Sequence, residues 1–469
     1  FGARGLRAHA TGPRHARRDV RCVVRAAAMG PAPVAVGAAM EGSTGNSTEV
    51  AVIGGGLTAM HTAEFLKKKW KVEKVTLCMG NPFLEFPMAA CPVLADPTRH
   101  PKWVSPNPSS FAVKGVQHVF GRVTKIDPDA KVIKFALRPD LAYKVCVVAT
   151  GSRMPLIIPN PGDSLEQRMG EVKHIGKAIA DAGTVVINGA GLIGLEMAGD
   201  VRAVHPDKRV VLLSRDGRVL GSTHGASMQE RVRAALDKMK IEVITGAVPK
   251  NLLGGGTEPA LEPGSIVLES GQVISYDVFL PCFAQGPNTQ FLEGSKALDA
   301  RKWIDANECL QSKQYPELFG AGVTNQPLVG HPVSSRLTAQ AQTCARNAKL
   351  VLDGKPCEVH KDTASPPPSD RPATVKIGHG KGAYMIWDTE VLPCPAKCCC
   401  CLWCGGGFPC CPPPCCWCCG PGCSTAFGSC CGPDESEGAA KCMLGFLLPK
   451  FPGGHGYKGI GAAPEQQRM

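Results

Sequence analysis

The chain has 469 residues, of which 44% are hydrophobic and 20% charged, with a net charge of +12. That composition supports two or three globular domains with buried cores and excludes a predominantly disordered chain. The charge does not make it a nucleic-acid binder: residues 1–28 hold seven arginines, no lysine and only Asp19 on the acidic side, and the other 441 residues carry only +6. No phosphate-tracking stripe is left in the body. No run of 18 apolar uncharged residues occurs, so no spanning helix is expected.

Residues 1–47 read as a targeting-like or flexible leader. The Arg- and Ala-rich, acid-poor stretch ending in Val23-Val24-Arg25-Ala26-Ala27-Ala28 has the composition of an organelle transit peptide. The plainer alternative is untranslated leader sequence, with Met29 or Met40 as the true start.

From Glu49 onward, apolar runs alternate with helical stretches. Val50–Ile53 is a short buried strand, Leu57–Lys69 a helix and Lys74–Leu77 the next strand. Val116–Val123 and Lys131–Phe135 flank the turn Asp127-Pro128-Asp129 and predict a meander hairpin. Val145–Ala149 is a further strand, ending at Thr150-Gly151. The pattern then restarts: strand Thr184–Ile187, helix Leu192–Val204, strand Arg209–Leu213, helix Gln229–Met239, strands Ile241–Thr245 and Val278–Pro281, and a final helix Ser335–Leu352. Strand–helix–strand units at this spacing require parallel sheets with crossover helices. The expected fold class is α/β, with two Rossmann-like dinucleotide-binding domains followed by a disordered Cys/Pro/Gly-rich tail.

Each unit opens with a glycine loop. Gly54-Gly55-Gly56-Leu57-Thr58-Ala59 is GxGxxA, and Gly189-Ala190-Gly191-Leu192-Ile193-Gly194 is GxGxxG, both between a strand and a helix. Glycine is needed where the backbone turns tightly and where a pyrophosphate must approach helix N-terminal amides with no Cβ in between. One such loop is weak evidence. Two in the correct setting are strong.

With the linker Ala149-Thr150-Gly151-Ser152, the two units resemble the two-dinucleotide flavoproteins of the pyridine nucleotide-disulfide oxidoreductase superfamily. Gly194-Leu195-Glu196-Met197-Ala198-Gly199-Asp200, Gly286-Pro287-Asn288-Thr289 with Phe291-Leu292, and Leu318-Phe319-Gly320-Ala321-Gly322 with Val323-Thr324-Asn325 are similar to its apoptosis-inducing-factor-like and ferroptosis-suppressor-like branch. The resemblance covers residues 48–355. It implies an FAD domain at 48–160 and 285–355 and an NAD(P)-binding domain at 161–284; composition sets apart a C-terminal extension at 356–392 and a Cys-rich tail at 393–469. It also implies a flow of electrons from NAD(P)H through flavin to a quinone-like acceptor. FAD would be held by Gly54, Gly55, Gly56 and Ala59, with Thr150, Gly151 and Gly322 closing over it. NAD(P)H would be held by Gly189, Gly191, Gly194 and Glu196. By the same resemblance Glu196, in the first helical turn, lies near the nicotinamide; its plain alternative is an acid complementing the helix dipole.

Several positions depart from the family pattern. Met79 stands where an acid binds the adenosine ribose of the first unit, and Gly322 is followed by Val323 instead of Asp. Glu85–Leu94 lacks the branch's Arg, and the loop Asn325–Arg336 lacks a Lys. The alternative reading is therefore a degenerate member without flavin, acting as a membrane-associated NAD(P)-binding or scaffold protein. In the second unit the ribose position holds Ser214 followed by Arg215, which fits a 2′-phosphate and favours NADPH, with the neighbouring Asp216 opposing it.

Disulfide-reductase chemistry lacks its cysteine pair: Cys78 and Cys91 are too far apart in sequence, and no pair lies near Gly189. Cys146 and Cys282 fall in apolar strand runs and read as core residues. His331 reads as a solvated loop histidine. No metal site is expected in the body. Sixteen of the 24 cysteines lie between Cys394 and Cys442. This tail invites S-acylation at Cys398–Cys401, zinc binding at CxxC spacings such as Cys401/Cys404, or no role at all. The expected location is an organelle or a lipid-tethered membrane surface, and not the secreted space, because the cysteines do not form a disulfide framework spread over a core.

Overall fold

The computed structural model describes residues 46–221, 224–250, 256–325, 334–361, 374–378 and 384–387. The leader to residue 45, His331 and the Cys-rich tail lie outside the described residues.

β-Branched and apolar runs form two sheets. In chain order, β1 (Ser47–Ile53) leads into α1 (Leu57–Glu64), which continues as a wider π-turn over Phe65–Lys69. Then come β2 (Val75–Met79), the two-residue β3 (Leu84–Glu85), α2 (Ala90–Ala95), β4 (Val104–Ser105), β5 (Gln117–Phe120), β6 (Val123–Asp127), β7 (Val132–Phe135) and β8 (Leu141–Val148). The first sheet has the order β5-β2-β1-β8-β7-β6, and the much later β15 (Leu318–Gly320) pairs with β8. Strands β5, β2, β1, β8 and β15 run parallel, while β6 and β7 form the antiparallel meander.

The 116–123 stretch corrects the expectation of one hairpin strand. Gly121, at φ 158°, ends β5 beside β2, and it is β6 that pairs with β7. The sequence offered one apolar run; the chain divides it between two neighbours.

α3 (Leu165–Asp181) leads to the second sheet, order β11-β10-β9-β14, in which β9 (Thr184–Asn188), β10 (Arg209–Ser214), β11 (Glu242–Thr245) and β14 (Val278–Pro281) are all parallel. Helices α4 (Leu192–Val204) and α5 (Ala226–Lys238) are its crossovers. The hairpin β12 (Gly264–Val267) with β13 (Val273–Tyr276) covers one face. α6 (Ser334–Leu352) closes the first sheet, and β16 (Thr374–Ile377) with β17 (Tyr384–Trp387) forms a last hairpin.

Alternation along β1 shows how the core is divided. Val50 and Val52 enter the main cluster under the helices, whereas Ala51 and Ile53 enter a second cluster beneath the meander. α3 carries a full capping box, with the Ser164 hydroxyl accepting from the Gln167 amide and the Gln167 side chain accepting from the Ser164 amide. Its apolar face, Val172, Ile175 and Ile179, is buried in the main cluster.

The segment 84–105 is fastened to α3 by ions. The fully buried Arg168 guanidinium donates to both Glu85 oxygens at 2.8 and 2.9 Å, to Glu171 at 2.8 Å and to the Leu156 carbonyl at 3.2 Å. Burial by itself raises the Glu85 carboxyl, but His100, its Nε2 3.5 Å away, and the two Arg168 hydrogen bonds outweigh it and hold the group below its ordinary range.

Candidate functional site

At the first loop, Gly54 has φ 140°, and a Cβ there would stand 2.3 Å from the Ala149 carbonyl oxygen and 3.2 Å from Ala59 Cβ. A small third residue therefore suits GxGxxA, because helix and strand come together at that point. Gly56 is the N-cap of α1, extended, with no side chain capping the helix and no acid in its first turn. A Cβ at Gly56 would meet nothing within 4 Å. It would instead fill the space in front of the free helix N–H groups, which is where a pyrophosphate would sit.

The second loop repeats the design more tightly. Gly189 has φ 114° and donates its N–H to Leu213 at 2.9 Å; a Cβ on Gly194 would fall 1.7 Å from the Gly189 carbonyl oxygen. Gly191 caps α4 without a side-chain bond, and a Cβ there would also meet open space.

Two linkers joining the sheets run against each other. Thr150 Oγ1 donates to the Asn288 carbonyl at 2.5 Å, the Asn288 amide donates to the Gly151 carbonyl at 2.9 Å, and Ser152 bridges to Pro287. Gly151 (φ 72°) brings this crossing to Val323, whose Cγ2 would lie 3.8 Å from a Cβ on Gly151. Gly322 (φ 76°) stands against Thr58, with a Cβ there 3.2 Å from Thr58 Oγ1. The fold thus gathers Gly54, Ala59, Thr150, Gly151 and Gly322 at one end of β1 and β8, although nearly 270 residues of sequence separate the first from the last.

Thr58, Asn288 and Gln340 belong to this cluster and were not assigned roles in the sequence. Gln340, 3% exposed, accepts the Gly322 N–H at 2.8 Å, so that amide is already committed within the protein. The signal was available in α6: Gln340, Thr343 and Asn347 are polar residues spaced on a face that turns out to be buried.

Met79 is 1% exposed at the end of β2, its Cε 3.5 Å from where a Gly55 Cβ would be. A thioether fills that position, and a weak acceptor replaces a carboxylate. In the second unit, Ser214 is buried and its hydroxyl is spent on the Arg218 carbonyl at 2.7 Å, leaving the neighbouring Arg215 83% exposed and 3.7 Å from Asp216.

Glu196 is the fifth residue of α4, so it lies in the second turn; the first turn holds no acid. This corrects the placement expected above and removes it from the last free amides that a helix-dipole role would need. It is half-buried, and with Asp200 and Cys282 it adds to the burial that pushes the Cys91 thiol well up, against a lowering by Lys376 of β16. Cys78, on β2, is buried in the meander cluster, whereas Cys91, on α2, is buried in the main cluster with its thiol toward the Ile193 carbonyl at 3.7 Å. Burial pushes the Cys78 and Cys282 thiols up to about 12. Among the described residues the cysteines are free thiols, and none of the groupings of His, Cys, Asp and Glu could hold a metal ion.

Two uncapped helix N-termini behind glycine loops, on two largely parallel sheets joined by a paired linker, give the chain the architecture of two dinucleotide-binding units. The family model for pyridine nucleotide-disulphide oxidoreductases matches residues 48–347, and the chain belongs to that family, which implies FAD and NAD(P)H as cofactors. It is similar to an FAD-dependent oxidoreductase of Flammulina velutipes, 26% identical over 223 residues, covering 46% of this chain and 65% of that protein. It is also similar to human apoptosis-inducing factor 3, 27% identical over 290 residues, covering 59% of this chain and 45% of the human one. Both alignments span less than two thirds of the relative's length. Among solved structures, the sulfide:quinone oxidoreductase of Aquifex aeolicus shares the fold, with a TM-score of 0.54 at 18% identity over 72% of this chain and 83% of that one.

Proposed function

We propose that this protein is an FAD-dependent oxidoreductase that takes electrons from NAD(P)H, with NADPH favoured, and passes them to a quinone-like acceptor. The observation that carries the reading is the open space in front of both uncapped helix N-termini, at Gly56 and Gly191. The residues present fit a pyrophosphate at each loop. Gly54, Gly55, Gly56 and Ala59 hold that of FAD, with Thr150, Gly151 and Gly322 packed beside it; Gly189, Gly191 and Gly194 hold that of NAD(P)H.

FAD held at the first loop would supply the redox chemistry between NAD(P)H and the acceptor. The protein binds and orients. α1 and α4 direct their first N–H groups at the phosphates, Glu196 orients the nicotinamide end, and Arg215, free to move at the surface, pairs with a 2′-phosphate. Cys78 and Cys91 lie in separate buried clusters, so no dithiol between them relays electrons, and the acceptor docks directly against the cofactor. A small planar acceptor suits that arrangement, and the shared fold with a quinone-reducing enzyme supports it.

One observation favours a second reading, a pyridine-nucleotide-binding protein without flavin: the buried thioether of Met79 at the ribose position. The visible spectrum of the purified chain separates the two. Bound flavin that bleaches with anaerobic NADPH and recovers on adding a short-chain quinone supports the oxidoreductase. A chain that binds NADPH yet takes up no flavin at saturating FAD sinks it.

A further inference from the structure

The β6–β7 hairpin lies at the edge of the first sheet, beyond β8, and its outer face sets like charges opposite each other. Lys125 of β6 and Lys134 of β7 are register partners, and both are exposed. Like charges directly opposite each other on an antiparallel pair repel. Next to them the Ala136 amide donates to the Arg122 carbonyl at 3.0 Å, and Arg138 folds over Gly121, its Cδ 3.4 Å from where a Cβ would stand. Both arginines are exposed. Among the described residues, Arg122 and Arg138 have no ion-pair partner, and the two lysines share one acid, Asp127, which lies 3.9 Å from Lys125 and also feels the charge of Lys134. Asp140 is the acid that follows in the turn. Between Ala136 and Arg138 stands Leu137, 95% exposed, the most exposed of the large hydrophobic residues described.

We infer that this face is a docking surface for an anionic lipid bilayer. Clustered cations with an unpaired apolar side chain at a turn tip match the two layers of a membrane surface. The guanidinium and ammonium groups meet phosphate and carboxylate headgroups, and the leucine enters the boundary below them. An anionic surface also relieves the repulsion between Lys125 and Lys134. Charge alone would suit an acidic protein equally; the bare leucine beside Arg138 is what selects a lipid surface. The inference goes beyond the proposed activity and does not depend on it. A bilayer partner would nevertheless hold the enzyme where a lipophilic acceptor is dissolved.

The test is co-sedimentation of the full-length chain with phosphatidylcholine vesicles, with and without about 30% phosphatidylserine. The expected result is binding to the anionic vesicles only, weakened by salt. The double variant Lys134→Glu/Arg138→Glu should lower that binding by roughly tenfold or more, and Leu137→Ser by several-fold with no change of charge. All variants keep the seven arginines of residues 1–28. Binding that is unchanged in them would therefore belong to the leader and overturn the inference, as would equal binding to neutral vesicles. Lys134→Gln serves as the folding control: removing the opposed charge should leave the melting temperature unchanged or raised. Hydrogen exchange supplies the last arm. Protection of residues 121–140 by an acidic protein, with none from anionic vesicles, would overturn the lipid assignment.

Discussion

The carbonyl oxygen of Ala149 lies 2.3 Å from the point where a Cβ on Gly54 would stand, so the first glycine loop and the end of β8 are in backbone contact. Gly56, two residues on, faces open space. The two glycines are therefore required for different reasons, and substitution separates them. Gly54→Ala should destabilise the fold. Gly56→Ala, at φ −88° and ψ 177°, should fold normally and lose FAD affinity by about ten- to a hundredfold, the value of one or two charge-assisted bonds. Thermal melts alongside flavin titrations test the pair. A Gly56→Ala protein that retains wild-type flavin affinity would remove the pyrophosphate from this loop.

The same contrast holds in the second unit. Gly194→Ala drives a Cβ into the Gly189 carbonyl and should unfold the loop, whereas Gly191→Ala should leave flavin bound and weaken NADPH. Fluorescence titration of the nucleotide, with the flavin spectrum as the control, reads both.

Arg215 is 83% exposed with Asp216 at its side, so its value lies in what it meets on binding. Arg215→Ala should raise KM for NADPH by about tenfold, near the low end for a charge-assisted pair at an exposed site, and leave KM for NADH unchanged. Equal effects on the two nucleotides would assign Arg215 no part in choosing between them.

Met79→Asp restores a carboxylate at the end of β2, and Val323→Asp restores one after Gly322. Each should tighten FAD by about tenfold if a ribose or ribityl hydroxyl gains a charged acceptor. Isothermal titration of the apoprotein measures it. The buried Met79 position favours paired measurement of Tm, because an aspartate that finds no partner there would destabilise the fold instead.

The Arg168–Glu85 pair gives the fold a pH dependence of known sign. Glu85 has its carboxyl lowered in the folded state. Its contribution is complete above the unfolded carboxylate pKa and is lost as pH falls through the lower folded value. Arg168→Met leaves Glu85 buried without its partner and should cost about 3–5 kcal/mol; Glu85→Leu/Arg168→Met should cost less than Arg168→Met alone. Urea unfolding from neutral to acidic pH checks both. An acid limb unchanged in the double variant would show that this carboxylate is not its source.

Much of this molecule was legible residue by residue. The strand Val278–Pro281 and helix α4 fall where the apolar pattern places them, the strand as a short fully apolar run and the helix as a long apolar stretch opened by Gly191. α3 escaped notice although Ser164 and Gln167 form a capping box, since its helical face is diluted by charge. β5 and β6 merged into one apparent strand because alternation says nothing about which neighbour a strand pairs with.

Sequence by itself determined the two nucleotide-binding units and their loops, because a tight turn that admits a phosphate can be built from few residue types, and the spacing is local. Tertiary structure alone decided that Gly322 stands against Thr58, that Cys78 and Cys91 fall in separate buried clusters, and that Gln340 takes up the Gly322 amide. It also decided that Lys125 meets Lys134. These relationships join residues far apart in the chain, or set by strand register. They follow from how sheets and helices close on one another, and local pattern does not encode that.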